Sequence, residues 1–331
     1  MTGDDPRRLA DAVRAGDRRA LARAITLVES SRRDHRDAAA ALVDLLLPQT
    51  GRAIRIGISG APGVGKSTFI EAFGLFLIAR GRRPAVLAID PSSPLTGGSI
   101  LGDKTRMEGL ARDPRAFIRP TPSGGTLGGV ARRTREAGLI CEAAGHDVVI
   151  VETVGVGQSE TAVADMVDMF VLLLPPAGGD ELQGIKKGIV ELADLLVINK
   201  ADGDLAPAAG RAAAEYKAAI QLLRPAHDSW TPPVLQVSAL ERRGLDVVWE
   251  AIERFRAAQG EARLAQRRAG QAVAWLWREI DAGLHAELAA DPRAAAALAS
   301  LQAQVSQGLA SPPRAAREVL AAFLGRSPAE S

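Results

Sequence analysis

Apolar residues are spaced in three successive ways along this chain. Over the first 48 or so residues Leu9, Val13, Leu21, Ile25, Val28, Leu42 and Leu46 form intermittent apolar faces at helical intervals. This predicts short helices at Pro6 to Ala15, Asp17 to Ser30 and Asp34 to Leu47, broken near Gly16 and at Ser30-Ser31, and forming a helical cap on the main domain. From Arg52 to about Ala258 short apolar runs alternate with helix-length segments, the signature of a largely parallel sheet covered on both faces. The strands expected are Ile54 to Ser59, Pro84 to Asp90, Phe117 to Pro120, Val148 to Thr153, Met169 to Leu174, Leu195 to Asn199 and Val234 to Ser238. After Gly244 only helical spacing remains, over Leu245 to Ala258, about Glu261 to Ala290, Arg293 to Gln307 and Arg314 to Leu324. In the long helix Val273, Leu276, Trp277, Ile280 and Leu284 make an apolar stripe, with Trp275 nearby. Such a stripe buries itself against a partner helix; a second copy of the chain is the expected partner, and packing within the chain the alternative. The expected fold class is α/β, with an N-terminal helical segment (1–50), a nucleotide-binding domain on the sheet (51–258) and a C-terminal helical dimerisation arm (259–331).

The turn after the first strand carries the strongest chemical signal. Gly60-Ala61-Pro62-Gly63-Val64-Gly65-Lys66-Ser67-Thr68 fits Gly-x4-Gly-Lys-Ser/Thr, with a strand before it and a helix from Phe69 to Arg80 after it. Glycines there let successive N–H groups turn inward as an anion nest, and the helix adds its positive end. Lys66 is expected to bridge the β- and γ-phosphates of a nucleotide and Ser67 to offer its hydroxyl to magnesium. A plain strand-to-helix turn needs neither residue. In a parallel sheet the ligand lies beyond the carboxyl ends of the strands, and further motifs fall there. Asn199-Lys200-Ala201-Asp202 closes the sixth strand. A carboxylate in the base plane accepts from N1–H and the 2-amino group of guanine, donors that adenine lacks, so Asp202 implies preference for GTP over ATP. The stem of Lys200 is expected over the purine, and Ser238-Ala239-Leu240 matches a loop supporting the guanine O6.

Glu152-Thr153-Val154-Gly155 follows the fourth strand, where a carboxylate can reach the magnesium shell and Gly155 can present its N–H to the γ-phosphate. Val156 stands where many GTPases place a water-orienting Gln, and the nearest amide is Gln158, so fast unaided hydrolysis is not promised. Asp90, ending the second strand, could reach magnesium through water. The glycine-rich stretch Gly97 to Arg106, holding Asp103, has the composition of a loop able to close on the γ-phosphate. Gly124 to Gly129 reads as another flexible loop, and Pro175 to Gly188 as a hinge plus contact surface.

Composition narrows the setting. Hydrophobic residues make up 47% of 331, enough for a large core, while 41 Lys and Arg nearly balance 39 Asp and Glu and are scattered, against a dedicated nucleic-acid face. The single cysteine, Cys141, excludes an internal disulfide and any multi-cysteine metal site. The longest apolar run, Met169 to Pro176, is too short to span a bilayer, so a soluble, cytoplasmic protein is expected.

Taken together the motifs resemble those of the methylmalonyl-CoA mutase-associated GTPases of the MeaB/ArgK type. The most specific are Gly-Val-Gly-Gln-Ser-Glu (155–160) and Gln-Gly-Ile-Lys-Lys-Gly (183–188). The resemblance runs over roughly residues 5 to 325. It implies a homodimeric, GTP-hydrolysing chaperone of an adenosylcobalamin-dependent acyl-CoA mutase, one that gates cofactor loading and protects the mutase from inactivation. It also implies that Lys66, Asp90, Asp103 and Glu152 serve phosphate and magnesium binding or hydrolysis, and that the loop Asp180 to Lys187, with Lys186 and Lys187, senses the mutase. Two other classes compete. A metal-delivery GTPase would carry Cys or His clusters, and here there are one cysteine and four dispersed histidines. A small-molecule kinase would share the P-loop but need an acceptor pocket with a base.

Overall fold

Seven parallel strands form one sheet in the order β3-β2-β4-β1-β5-β6-β7. They are β1 (Ile54–Gly60), β2 (Pro84–Asp90), β3 (Phe117–Pro122), β4 (Val148–Glu152), β5 (Met169–Leu174), β6 (Leu195–Ile198) and β7 (Val234–Gln236). The structure, a computed structural model, describes residues 5–30, 32–90, 107–122, 127–153, 159–176, 187–222 and 229–326. It divides into two compact units, residues 1–268 and 269–331.

The sheet belongs to the first unit, and its sequence explains its position. β5 reads Met-Phe-Val-Leu-Leu-Leu and every residue is buried, as in a strand covered on both faces. Between strands run α4 (Lys66–Ala79), α5 (Glu108–Arg112), α6 (Leu127–Ala143), α7 (Ser159–Ala164), α8 (Lys187–Leu192) and α9 (Ala206–Gln221). One core sets Ile54, Ile56 and Ile58 of β1 against Phe69, Phe73, Trp249 and Phe255. A second joins Phe170 and Leu172 of β5 to Ile198, Val163 and Tyr216. Gly57 faces this second core, and a Cβ there would stand 2.8 Å from Val163, so only glycine lets β1 lie this close to the covering helix.

The N-terminal helices α1 (Pro6–Arg14), α2 (Arg18–Glu29) and α3 (Arg33–Leu46) cap the same unit. Asp5 and Asp17 accept from backbone N–H groups of the first turns of α1 and α2, which fixes where those helices begin. Their apolar faces, Leu9, Val13, Leu21, Ile25, Leu42 and Leu46, pack with Leu87, Phe117, Ile140 and Cys141. A buried ionic cluster stitches the amino ends of β1 and β5. Asp168, fully enclosed, accepts from Arg55 N at 2.8 Å and pairs with Arg268, which also donates to the carbonyls of Gly51 and Ala53. Glu142 pairs with Arg55 Nε at 2.6 Å and accepts from Gly51 N. Each carboxylate of this cluster thus has a guanidinium partner, the condition under which buried ions are tolerable.

Beyond the sheet runs α10 (Leu245–Ala290), interrupted at Gly260 (φ 68°, ψ 163°), close to the break expected between Ala258 and Glu261. In the second unit α11 (Pro292–Ser306) and α12 (Pro312–Leu324) share a small core of Ala294, Leu301, Ala315 and Val319 with Leu288 and Phe323. The stripe residues Val273, Leu276, Trp277, Ile280 and Leu284 are exposed, Trp277 by 61%. No described helix is long and apolar enough to cross a membrane.

Several expected boundaries move. β7 stops at Gln236 because Ser238 pairs antiparallel with Arg243 instead of extending the strand. β6 stops at Ile198 and β4 at Glu152, while β1 and β3 run on to Gly60 and Pro122. The helix after the P-loop starts at Lys66, not Phe69. Leu127, Gly128 and Gly129, read as loop, open α6, and Lys187 and Gly188, also read as loop, open α8. Helical hydrogen bonding tolerates glycine at a first turn at a cost of about 1 kcal/mol.

Candidate functional site

β1 lies fourth of the seven strands, and the turn 61–65 leaves its carboxyl end into α4. Gly60 cannot be replaced there, since a Cβ would meet the carbonyl oxygen of Leu173 at 2.4 Å. Gly65, at φ 92°, sits in the left-handed region, and its Cβ would stand 2.8 Å from Asn199 Nδ2. Ala61, Pro62 and Gly63 are exposed, Val64 is buried beneath them, and Thr68 is exposed on the first turn of α4. Lys66 begins that helix and donates through Nζ to Gly60 O at 2.7 Å and Ala61 O at 3.2 Å, so its ammonium is folded back over the loop. Burial holds its pKa below the ordinary lysine value, and the Glu152 and Glu160 charges oppose that only in part.

β4 delivers Glu152 beside Ile58 of β1. It is only 7% exposed, and Ser67 Oγ donates to its Oε1 at 3.3 Å. Just beyond it Thr153 is fastened twice to β1, by its N–H to Ile58 O at 3.0 Å and its hydroxyl to Ser59 Oγ at 2.7 Å. The hydroxyl on the first turn of α4 and the carboxylate ending β4 thus meet at the carboxyl ends of the strands. They are hard oxygen donors, the kind magnesium takes when phosphates and water complete its shell. Among the described residues no three His, Cys, Asp or Glu side chains gather into a metal set, and magnesium held mainly by phosphate needs none. Asp90 closes β2 at the same sheet edge; only its backbone is described. Asp103, Gly155 and Lys186 lie outside the described residues, as does the side chain of Lys187.

The residues expected from the sequence to meet the base cluster on the next loops. Asn199 is 1% exposed, donates through Nδ2 to Val64 O at 2.9 Å and accepts from Ala239 N at Oδ1 (3.3 Å). It ties together three segments that the sequence keeps far apart. Lys200 adopts φ 60°, unusual for a residue with a Cβ, and reaches Gly63 O through Nζ at 2.8 Å. Asp202 receives a short hydrogen bond from Ser238 Oγ, which in turn accepts from Glu241 N at 3.0 Å. Leu240 is 79% exposed. P-loop, Ser67–Glu152 pair and Asn199-to-Asp202 turn therefore share one edge of the sheet. The cross-loop bonds of Asn199 and the Thr153–Ser59 contact carry no sequence signal, because each joins residues whose nearness depends on the folded sheet.

Residues 21–293 match the family model described as "Methylmalonyl Co-A mutase-associated GTPase MeaB". The chain belongs to this family. A putative GTPase of Caulobacter vibrioides is 60% identical over 310 residues, 93% of this chain and 95% of that protein. The GTPase ArgK of Escherichia coli is 55% identical over 270 residues, 81% and 82% of the two chains. A crystal structure of a LAO/AO transport system kinase is 42% identical, superposes with a TM-score of 0.76 and covers 96% of this chain and 97% of its own. As a MeaB-family GTPase, the chain takes a guanine nucleotide, the ligand that the nest and carboxylate suit.

Proposed function

We propose that this MeaB-family protein is a GTP-hydrolysing chaperone of an adenosylcobalamin-dependent acyl-CoA mutase, methylmalonyl-CoA mutase in the first instance, gating cofactor loading and protecting the mutase from inactivation. The observation that carries the reading is the match over residues 21–293 to a family described as mutase-associated GTPases. In this scheme backbone N–H groups of Gly60 to Thr68 enclose the β-phosphate, and the Lys66 ammonium swings from the Gly60 and Ala61 carbonyls to the β- and γ-oxygens. Ser67 and Glu152, with Asp90 and Asp103 near the shell, hold Mg2+. The ion supplies charge neutralisation on the phosphates. Gly155 donates to the γ-phosphate. Asp202 accepts from the guanine edge, Lys200 covers its face, and Ser238, Ala239 and Leu240 form the loop beneath its O6. The protein acts in the cytoplasm as a homodimer through residues 259–331, with neither nucleic acid nor membrane as partner.

Val156 leaves the attacking water without an amide at the usual place, so hydrolysis is slow until the mutase repositions the loop Asp180 to Lys187. Phosphate release is to be measured with and without the mutase, in wild type and in Lys186→Ala/Lys187→Ala. Acceleration of wild type alone is expected; equal acceleration of both removes the loop from the mechanism. The structural relative is named as a kinase, which motivates a second reading, transfer of the γ-phosphate to an organic acceptor. Labelled γ-phosphate recovered wholly as inorganic phosphate rejects it.

A further inference from the structure

The turn that presents Asp202 is held from outside by a residue that no motif marks. Lys200 is left-handed (φ 60°), a conformation that costs a non-glycine residue of order 1 kcal/mol or more unless its surroundings enforce it. The next peptide groups are clamped on both sides. Ala201 N donates to Val237 O at 3.0 Å, and Ala201 O accepts from Arg243 Nη2 at 2.6 Å. Arg243 is itself fixed. Its backbone exchanges two hydrogen bonds with Ser238, N to O at 3.0 Å and O to N at 3.1 Å, and its Nη1 lies 2.9 Å from Glu241 Oε2. Gly244 must be glycine for this return of the chain, at φ 80° and with a Cβ that would meet Gln236 O at 2.7 Å. Ser238, the partner of the Arg243 backbone, is also the donor to the Asp202 carboxylate. One residue therefore holds Asp202 by two routes, through the Ala201 carbonyl on one side and through Ser238 on the other.

We propose that Arg243 is a positioning residue for guanine selectivity: its guanidinium orients the Ala201–Asp202 peptide so that the carboxylate lies in the plane of the base. The proposal rests on the reading of Asp202 as the guanine acceptor. Arg243 touches neither base nor phosphate in this scheme. A carboxylate that can rotate still attracts a purine's donors, but no longer meets both N1–H and the 2-amino group at once, so selectivity falls before general affinity does.

The side chain of Arg243 is 62% exposed, so Arg243→Met, which keeps the stem and removes the donors, disturbs no core packing. Arg243→Lys keeps one charged donor. Dissociation constants for GTP, ATP and XTP are to be measured on the full chain with magnesium, alongside thermal melting and the variant Asp202→Asn. For Arg243→Met, GTP affinity is expected to fall about tenfold, the worth of one charge-assisted hydrogen bond, with ATP affinity unchanged and the melting temperature lowered by only a few degrees. Arg243→Lys should regain most of that loss. Asp202→Asn should transfer preference from GTP to XTP. A wild-type GTP-to-ATP ratio in Arg243→Met, or an equal loss for both nucleotides, overturns the role of Arg243 while leaving Asp202 in place. Failure of Asp202→Asn to change the preference overturns the guanine reading itself.

Discussion

Removal of the Asn199 amide tests whether the phosphate loop and the base loops are one mechanical unit. Asn199→Ala deletes the donor to Val64 O at 2.9 Å, a marginal one to Gly65 O at 3.5 Å, and the acceptor for Ala239 N at 3.3 Å. The side chain is almost wholly buried, so the carbonyl of Val64 and the N–H of Ala239 lose their partner away from bulk water. Each orphaned group costs about 1 to 3 kcal/mol. The longer contacts put two of the bonds at the weak end, which gives about 3 kcal/mol for the variant. In a unit of this size that lowers the melting temperature by roughly 6 to 12 °C. Val64 belongs to the loop proposed to hold the phosphates, so GTP and ATP should weaken in parallel, by about tenfold, in contrast to the guanine-only effect expected of Arg243→Met. Urea unfolding followed by far-ultraviolet circular dichroism gives the stability change, and equilibrium binding gives the affinities. A wild-type urea midpoint would show that water replaces the amide without cost. Loss of GTP alone would mean that the brace serves the base and not the phosphates.

Three further outcomes are expected. Burial, reinforced by the Arg83 charge, pushes His146 down to about 4, below its unfolded value of about 6.5, so the unfolded chain takes up the proton first as pH falls. Stability should drop by up to about 3 kcal/mol between pH 6.5 and 4, and urea midpoints of His146→Gln should show a flatter slope over that window; equal slopes would contradict the assignment. Burial likewise holds the Lys66 ammonium below its ordinary value, so nucleotide phosphate, by restoring the charged form, should draw a proton from alkaline buffer and bind more weakly as pH rises through the lowered pKa. Calorimetry in two buffers of different ionisation enthalpy measures that proton, and zero uptake counts against Lys66 meeting the phosphates. Light scattering of Leu276→Glu/Trp277→Glu against wild type should show a dimer reduced to a monomer, whereas a monomeric wild type would leave the exposed stripe without that role.

Legibility in the sequence tracks the range of the interactions. Gly60, Gly65, Lys66 and Ser67 lie close together along the chain at a fixed spacing, so the sequence alone locates the turn between β1 and α4. The strands of the sheet are equally plain, because Met169 to Leu174 can only be a segment buried on both faces. Ends are less plain: Val234 to Ser238 has strand composition throughout, yet Ser238 turns away to pair with Arg243, a choice made by Gly244 and not by any apolar pattern. The bond from Asn199 to Val64 spans 135 positions and that from Arg268 to Asp168 spans 100, so neither leaves a periodicity to read. Nothing in the local sequence marks Asp168 and Glu142 as buried. Only the converging amino ends of β1 and β5 show why they are inside.

The margins of the sheet bear on how this chain behaves in a crowded solution. A strand at the rim is a template on which a foreign strand can grow, and proteins with long regular rims are prone to fibrous aggregation. Here one rim, β7, is three residues long, and the other, β3, carries Pro120 and Pro122, which have no amide hydrogen to donate. Among the described residues both rims are thus poor templates for a further strand. Replacing both prolines with valine would return amide donors to that rim and should raise the tendency to aggregate, read as light scattering on incubation.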